Sequence, residues 1–143
     1  MPVLCQIDLH HGGDIRVYGS RLRIVVLPVE EDHAVFRLNI KPESKNSYGM
    51  VHGGAIYAMA DNATGFAAHT DGRNYVTQTS ALHFLRNQSE GEIQADARVR
   101  HRGHSTCLVA VDILGEDEKL LATGEFTFFC VDPEIMARKV KKA

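Results

Sequence analysis

The chain has 143 residues, 44% of them hydrophobic and 24% charged, and a net charge of −2 with histidine neutral. That is an ordinary composition for a soluble globular protein of one domain with a real core. It offers no bulk positive charge to nucleic acid or to an anionic membrane, so neither is expected as a partner. Cys5, Cys107 and Cys130 are odd in number and far apart. They fit neither a metal site nor a disulfide framework, and a reduced, cytoplasmic setting is expected.

The N-terminus, MPVLCQIDLHHGGDIR, has no basic start followed by an apolar run, so no signal peptide is read there. Residues 1–143 are read as one domain, with a short N-terminal segment over 1–20 and a frayed tail over 132–143. RLRIVVLPV and HAVFRLNI, separated by a short acidic turn, form a hairpin. Residues 53–69 are rich in alanine and free of proline, and form one helix with Gly53 as its N-cap and TDGRN as its stop. The helix is apolar nearly all round, so other structure should enclose it. Its apolar run is too short to span a bilayer.

Four strand patterns follow: YVTQTSALHFL, GEIQADARVRHR, TCLVAVDIL and LLATGEFTFFCV. In the second, Ile93, Ala95, Ala97 and Val99 alternate with Gln94, Asp96, Arg98, Arg100 and Arg102. The last three strands are joined by short turns and describe an antiparallel meander. The order is two strands, one long helix and four strands. This is an α+β pattern, with the helix against one antiparallel sheet of about five or six strands.

Two features of NSYGMVHGGAIYAMADNATGFAAHT carry chemistry. Gly53 and Gly54 open the helix, where unpaired amides and the helix dipole can hold a ligand oxygen. Asp61 sits in mid-helix, where it cannot be a cap. A carboxylate in an apolar surround is costly unless it is paired or used. Gly54 and Asp61 are about 10 Å apart along the axis, so one helix cannot present both to a single carbonyl carbon. Two helices running antiparallel across a two-fold axis can.

The motif N-x-x-G-x-V-H-G-G followed by a mid-helix Asp resembles the hotdog-fold acyl-CoA thioesterases of the phenylacetate-pathway type. The resemblance spans residues 20–131, including the order of elements. The second HHGG, at residues 10–13, has no apolar helix behind it and is treated as a decoy. The resemblance implies that Gly54 N–H polarises the thioester carbonyl. It implies that Asp61 of the opposing protomer is nucleophile or general base, and that Asn46 and His52 orient the thioester and the loop before the helix. Thr77 falls where the family places a Ser or Thr beside water or the carboxylate; strand alternation puts Thr79 on the same side. The implied partner is an acyl-CoA substrate, with no further cofactor. The implied assembly is a homodimer as the minimum unit, paired into a homotetramer.

CoA phosphates call for a basic patch. RVRHRGHS offers one, and the resemblance assigns Arg102, Gly103, His104 and Ser105 to the pantetheine arm and nucleotide. No short His or Cys ligand spacing marks a metal site, and His83 reads as structural. No G-x-S-x-G elbow surrounds a serine. Cys107 and Cys130 read as core thiols. Phe126, Phe128 and Phe129 suit an acyl pocket and core packing equally. Two rival functions remain open at this level: a hotdog dehydratase acting on a 3-hydroxyacyl thioester, and a non-catalytic acyl-CoA-binding module.

Overall fold

The computed structural model describes residues 13–16 and 22–142. Seven strands form one antiparallel sheet: β1 (Gly13–Arg16), β2 (Arg23–Val26), β3 (His33–Asn39), β4 (Tyr75–Phe84), β5 (Glu92–Arg102), β6 (Thr106–Leu114) and β7 (Leu120–Cys130). Helix α1 (Gly53–Ala68) lies between β3 and β4 in the chain, and α2 (Pro133–Lys142) ends the described part. The spatial order is β1-β2-β3-β5-β6-β7-β4. The expected meander is β5-β6-β7, and β4 pairs with β7 at one edge. The strand beyond the expected six is β1, whose four residues fall in the segment read as N-terminal. Gly13 of the HHGG stretch opens it, while His10, His11, Gly12 and Cys5 lie outside the described residues.

Alternation builds the core as the sequence implied. Ala34, Phe36 and Leu38 of β3, Ile93, Ala95 and Ala97 of β5, and Cys107, Val109, Val111 and Ile113 of β6 are buried. They pack on Ala55, Ile56, Met59, Ala60, Ala63, Phe66 and Ala67 of α1. Phe66 meets Phe36 edge to face at 4.9 Å, a pair that adds about 1 kcal/mol beyond its buried area. The alanines let the sheet curve closely around the helix. Both described thiols, Cys107 and Cys130, are free and buried in this core. Burial pushes the Cys107 thiol up, so it is no thiolate nucleophile.

The sheet leaves one stripe of α1 uncovered. Gly54 and Tyr57 are exposed, while Asp61 and Asn62 are half-buried; the four recur at helical spacing. The expectation of a fully enclosed helix holds for the other faces only. β4 borders this stripe and is exposed along nearly its whole length.

Two β-bulges decide what the sheet aims at the helix. In β4, Thr77 pairs with Phe128 and Thr79 with Thr127, so Gln78 is the extra residue. In β5, Val99 pairs with Val109 and His101 with Leu108, so Arg100 is extra. Each bulge reverses the alternation beyond it.

Candidate active site

His52, not Gly53, caps α1. Its backbone is extended, and its ring Nδ1 accepts a 2.8 Å hydrogen bond from Gly54 N–H. This requires a neutral ring with its proton on Nε2. The amide assigned to the carbonyl is therefore already bonded within its own chain. Gly53 N–H, the first of the helix, makes no hydrogen bond among the described residues. The dipole end thus presents one open amide and one behind an imidazole.

The loop before the helix is held by Asn46. Its Oδ1 accepts from Tyr48 N–H at 2.9 Å and Met50 N–H at 3.2 Å. Gly49 takes φ +77°, a left-handed conformation that suits glycine. Val51 N–H donates to the Gln88 carbonyl and His52 N–H to the Ser44 carbonyl. Asn46 thus shapes the approach to the glycines through backbone contacts.

Asp61 stands on the open stripe two turns on. Thr77 Oγ1 donates to Asp61 Oδ1 at 2.7 Å. The bulge at Gln78 turns Thr79 to the opposite face, so the two threonines do not share a side. It also turns Ser80 inward, where its hydroxyl hydrogen-bonds Tyr57 Oη. No sequence motif singles out Tyr57 or Ser80. Tyr57 was discoverable, because it precedes Asp61 by four residues and so shares its face; Ser80 was hidden by the bulge. Phe84, at the end of β4, lies against Gly53.

The four residues assigned to CoA divide. Alternation put Arg102 with Arg98 and Arg100 on the outer face; the bulge at Arg100 sends it inward, opposite Cys107. There its guanidinium donates to the Ala68 carbonyl at 2.9 Å and to Asp32 Oδ1 at 2.7 Å, and pairs with Asp71 Oδ2 at 2.9 Å. A cation at a helix C-terminus is favourable. Burial opposes the charge of Arg102, but Asp32, Asp71 and Tyr75 hold its pKa above the ordinary value. Burial also pushes the Asp71 carboxyl up, yet hydrogen bonds from Tyr75 and Arg73 and the charge of Arg102 outweigh it and hold it below the usual carboxylate range. Arg102 is thus a clamp on α1. The turn beyond it is set by Arg73, whose guanidinium donates to the His104 carbonyl at 2.6 Å and the Gly103 carbonyl at 3.2 Å. His104 is exposed and Ser105 half-buried.

Among the described residues, no group of three or more His, Cys, Asp or Glu is placed to hold a metal ion. No helix among them is long and apolar enough to cross a membrane.

A long helix inside a curved antiparallel sheet, with one open amide at its start and a tethered acid in its middle, defines a thioester hydrolase of the hotdog fold. The sequence profile of the thioesterase superfamily matches residues 48–122, and the chain belongs to that family. Within it the chain is PaaI-like. It is 28% identical over 102 residues to the acyl-coenzyme A thioesterase PaaI of Escherichia coli, covering 71% of this chain and 73% of that one. The structure of that protein superposes with a TM-score of 0.73 at 25% identity, over 76% of this chain and 80% of the other. A Streptococcus mutans protein solved with acetyl-CoA, smu.793, superposes with a TM-score of 0.74 at 27% identity, over 82% and 93% of the two chains. The 1,4-dihydroxy-2-naphthoyl-CoA hydrolase of Listeria monocytogenes is 29% identical over 108 residues, covering 73% and 87%.

Proposed function

We propose that this protein hydrolyses an acyl-CoA thioester to the free acid and CoA at two equivalent sites of a homodimer, each built from both chains. The carrying observation is Asp61, held by Thr77 on a helix stripe that its own sheet leaves bare. A second copy of α1, antiparallel across that stripe, brings the amide end of one helix to the acid of the other. The edge of β4, unpaired among the described residues, and the exposed Val76, Phe84 and Leu85 suit the same contact, since long edges and clustered apolar surface are otherwise liabilities. CoA-binding in the Streptococcus mutans relative and thioester hydrolysis in the Escherichia coli one support the choice of substrate.

In this reading the thioester oxygen docks at Gly53 N–H, and Gly54 N–H joins when the His52 ring swings aside. Asp61 of the opposing chain takes a proton from water on its free Oδ2 while Thr77 holds Oδ1. The water oxygen adds to the carbonyl carbon, and negative charge collects on the carbonyl oxygen at the helix amides. Collapse breaks the carbon–sulfur bond, and Asp61 returns the proton to the departing thiolate. The pantetheine arm runs to the turn at Gly103, His104 and Ser105. Arg102 serves there as scaffold, with its guanidinium committed to α1. Pairing of dimers into a tetramer and a cytoplasmic location complete the proposal.

Subunit complementation tests the shared site. Asp61→Asn and Gly54→Pro chains, each inactive alone, are unfolded together in equal amounts and refolded. About a quarter of wild-type thiol release should return, because half the dimers are hybrid and each carries one intact site. A mixture as silent as its parts excludes a site shared between chains. In ¹⁸O-water, a first-turnover acid product bearing solvent oxygen supports the general-base role. Label in Asp61 and not in that product assigns a nucleophile instead.

A further inference from the structure

The geometry points to a further role on the same stripe: the hydroxyl pair of Tyr57 and Ser80 reads the acyl group, favouring chains that carry a hydroxyl near the thioester over plain hydrocarbon chains. The inference rests on the thioesterase reading above and adds a specificity-determining pair to it. On a stripe otherwise made of glycine, alanine, asparagine and the acid, Tyr57 is the one large side chain, and it is 38% exposed. Along the axis it lies about 4.5 Å beyond Gly54, which serves one site of the dimer, and about 6 Å before Asp61, which serves the other, so an acyl chain leaving the Gly53 and Gly54 amides along the stripe meets it first. Its ring is braced on the buried Phe126 at 5.5 Å.

The phenol is also held at its tip. Tyr57 Oη and Ser80 Oγ hydrogen-bond each other, and both residues are exposed on the uncovered side. The bulge at Gln78 is what aims Ser80 at the helix, since an uninterrupted strand would turn Thr77 and Ser80 to opposite faces. Two hydroxyls bring two protons. One closes the bond between them, leaving one donor and spare lone pairs for a third group. A hydroxyl on the second carbon beyond the carbonyl carbon, plus one hydrogen bond of about 2.8 Å, spans the one-turn gap to Tyr57. A plain chain leaves that donor facing hydrocarbon, an unpaired polar group that costs binding in the transition state as well as in the ground state.

The test is the ratio of kcat/KM for 3-hydroxybutanoyl-CoA to that for butanoyl-CoA, read by thiol release for wild type, Tyr57→Phe and Ser80→Ala. Wild type should favour the hydroxylated chain by about tenfold, the worth of one well-placed hydrogen bond. In Tyr57→Phe the ratio should fall to near one, and in Ser80→Ala to between one and the wild-type value. A purely structural role would slow both substrates alike and leave the ratio at its wild-type value, which overturns the proposal; so does a wild-type ratio near one. Wild-type protein that releases thiol from no acyl-CoA overturns the thioesterase reading itself. An enoyl product from the hydroxylated substrate, in place of free thiol, points to dehydration and overturns both.

Discussion

Thr77 Oγ1 sits 2.7 Å from Asp61 Oδ1, tying the middle of the central helix to an edge strand. The bond fixes one carboxylate oxygen and leaves the other for water. Asp61→Asn is expected to lower kcat by about 10²–10⁴ with CoA binding retained. Thr77→Ala should cost about tenfold in kcat, and Thr77→Ser should restore most of it. Steady-state thiol release together with CoA titration of each variant checks this. Equal losses in binding and turnover would mean that the bond only props up the fold.

His52 caps the helix at the amides proposed to hold the thioester oxygen. His52→Ala removes the acceptor of Gly54 N–H and should destabilise the protein by about 1 kcal/mol, whereas His52→Asn, a good cap, should recover most of that. Urea unfolding measures both. A β-carbon on Gly54 would stand 3.0 Å from His52 Nδ1. Gly54→Ala should therefore push the ring off its amide and share the stability loss.

Stability in acid should follow Asp71. Its carboxyl is held below the ordinary value, so the unfolded chain takes up a proton first as the pH falls. The stabilisation from Asp71 is complete at neutral pH and is lost as the pH drops through its folded-state pKa. Urea midpoints measured from about pH 7 to pH 3 should fall less steeply for Asp71→Asn than for wild type. Arg102→Leu strands Asp32, Asp71 and the helix carbonyls, and should cost about 2–3 kcal/mol at neutral pH.

Two glycines should respond with opposite signs. Gly65 is buried within α1, and a β-carbon there would meet the Phe128 ring at 3.7 Å, an ordinary contact. Gly65→Ala should stabilise by about 0.5–1 kcal/mol through helix propensity. Gly124 lies opposite Leu82, where β7 and β4 approach closely, and a β-carbon there would collide with the Ala81 carbonyl. Gly124→Ala should displace β4, taking Thr77 and Ser80 with it. Thermal unfolding and thiol release should fall together.

The sequence by itself determined the element order from β2 onward, the core and the position of the helix. Those follow from local periodicity: period two in β3, β5, β6 and β7, and an alanine-rich run broken by TDGRN. It also marked Asp61, because a mid-helix acid among alanines has no local explanation. Tertiary structure alone decided which side chains meet. Bulges at Gln78 and Arg100 are properties of pairing with β7 and β6, and no residue of β4 or β5 announces them. One extra residue in each strand separates Thr77 from Thr79, brings Ser80 to Tyr57, and takes Arg102 from the outer face to the end of α1. Side-chain direction in a strand is counted from its neighbour's hydrogen bonds, and a count along one chain cannot see where that ladder skips.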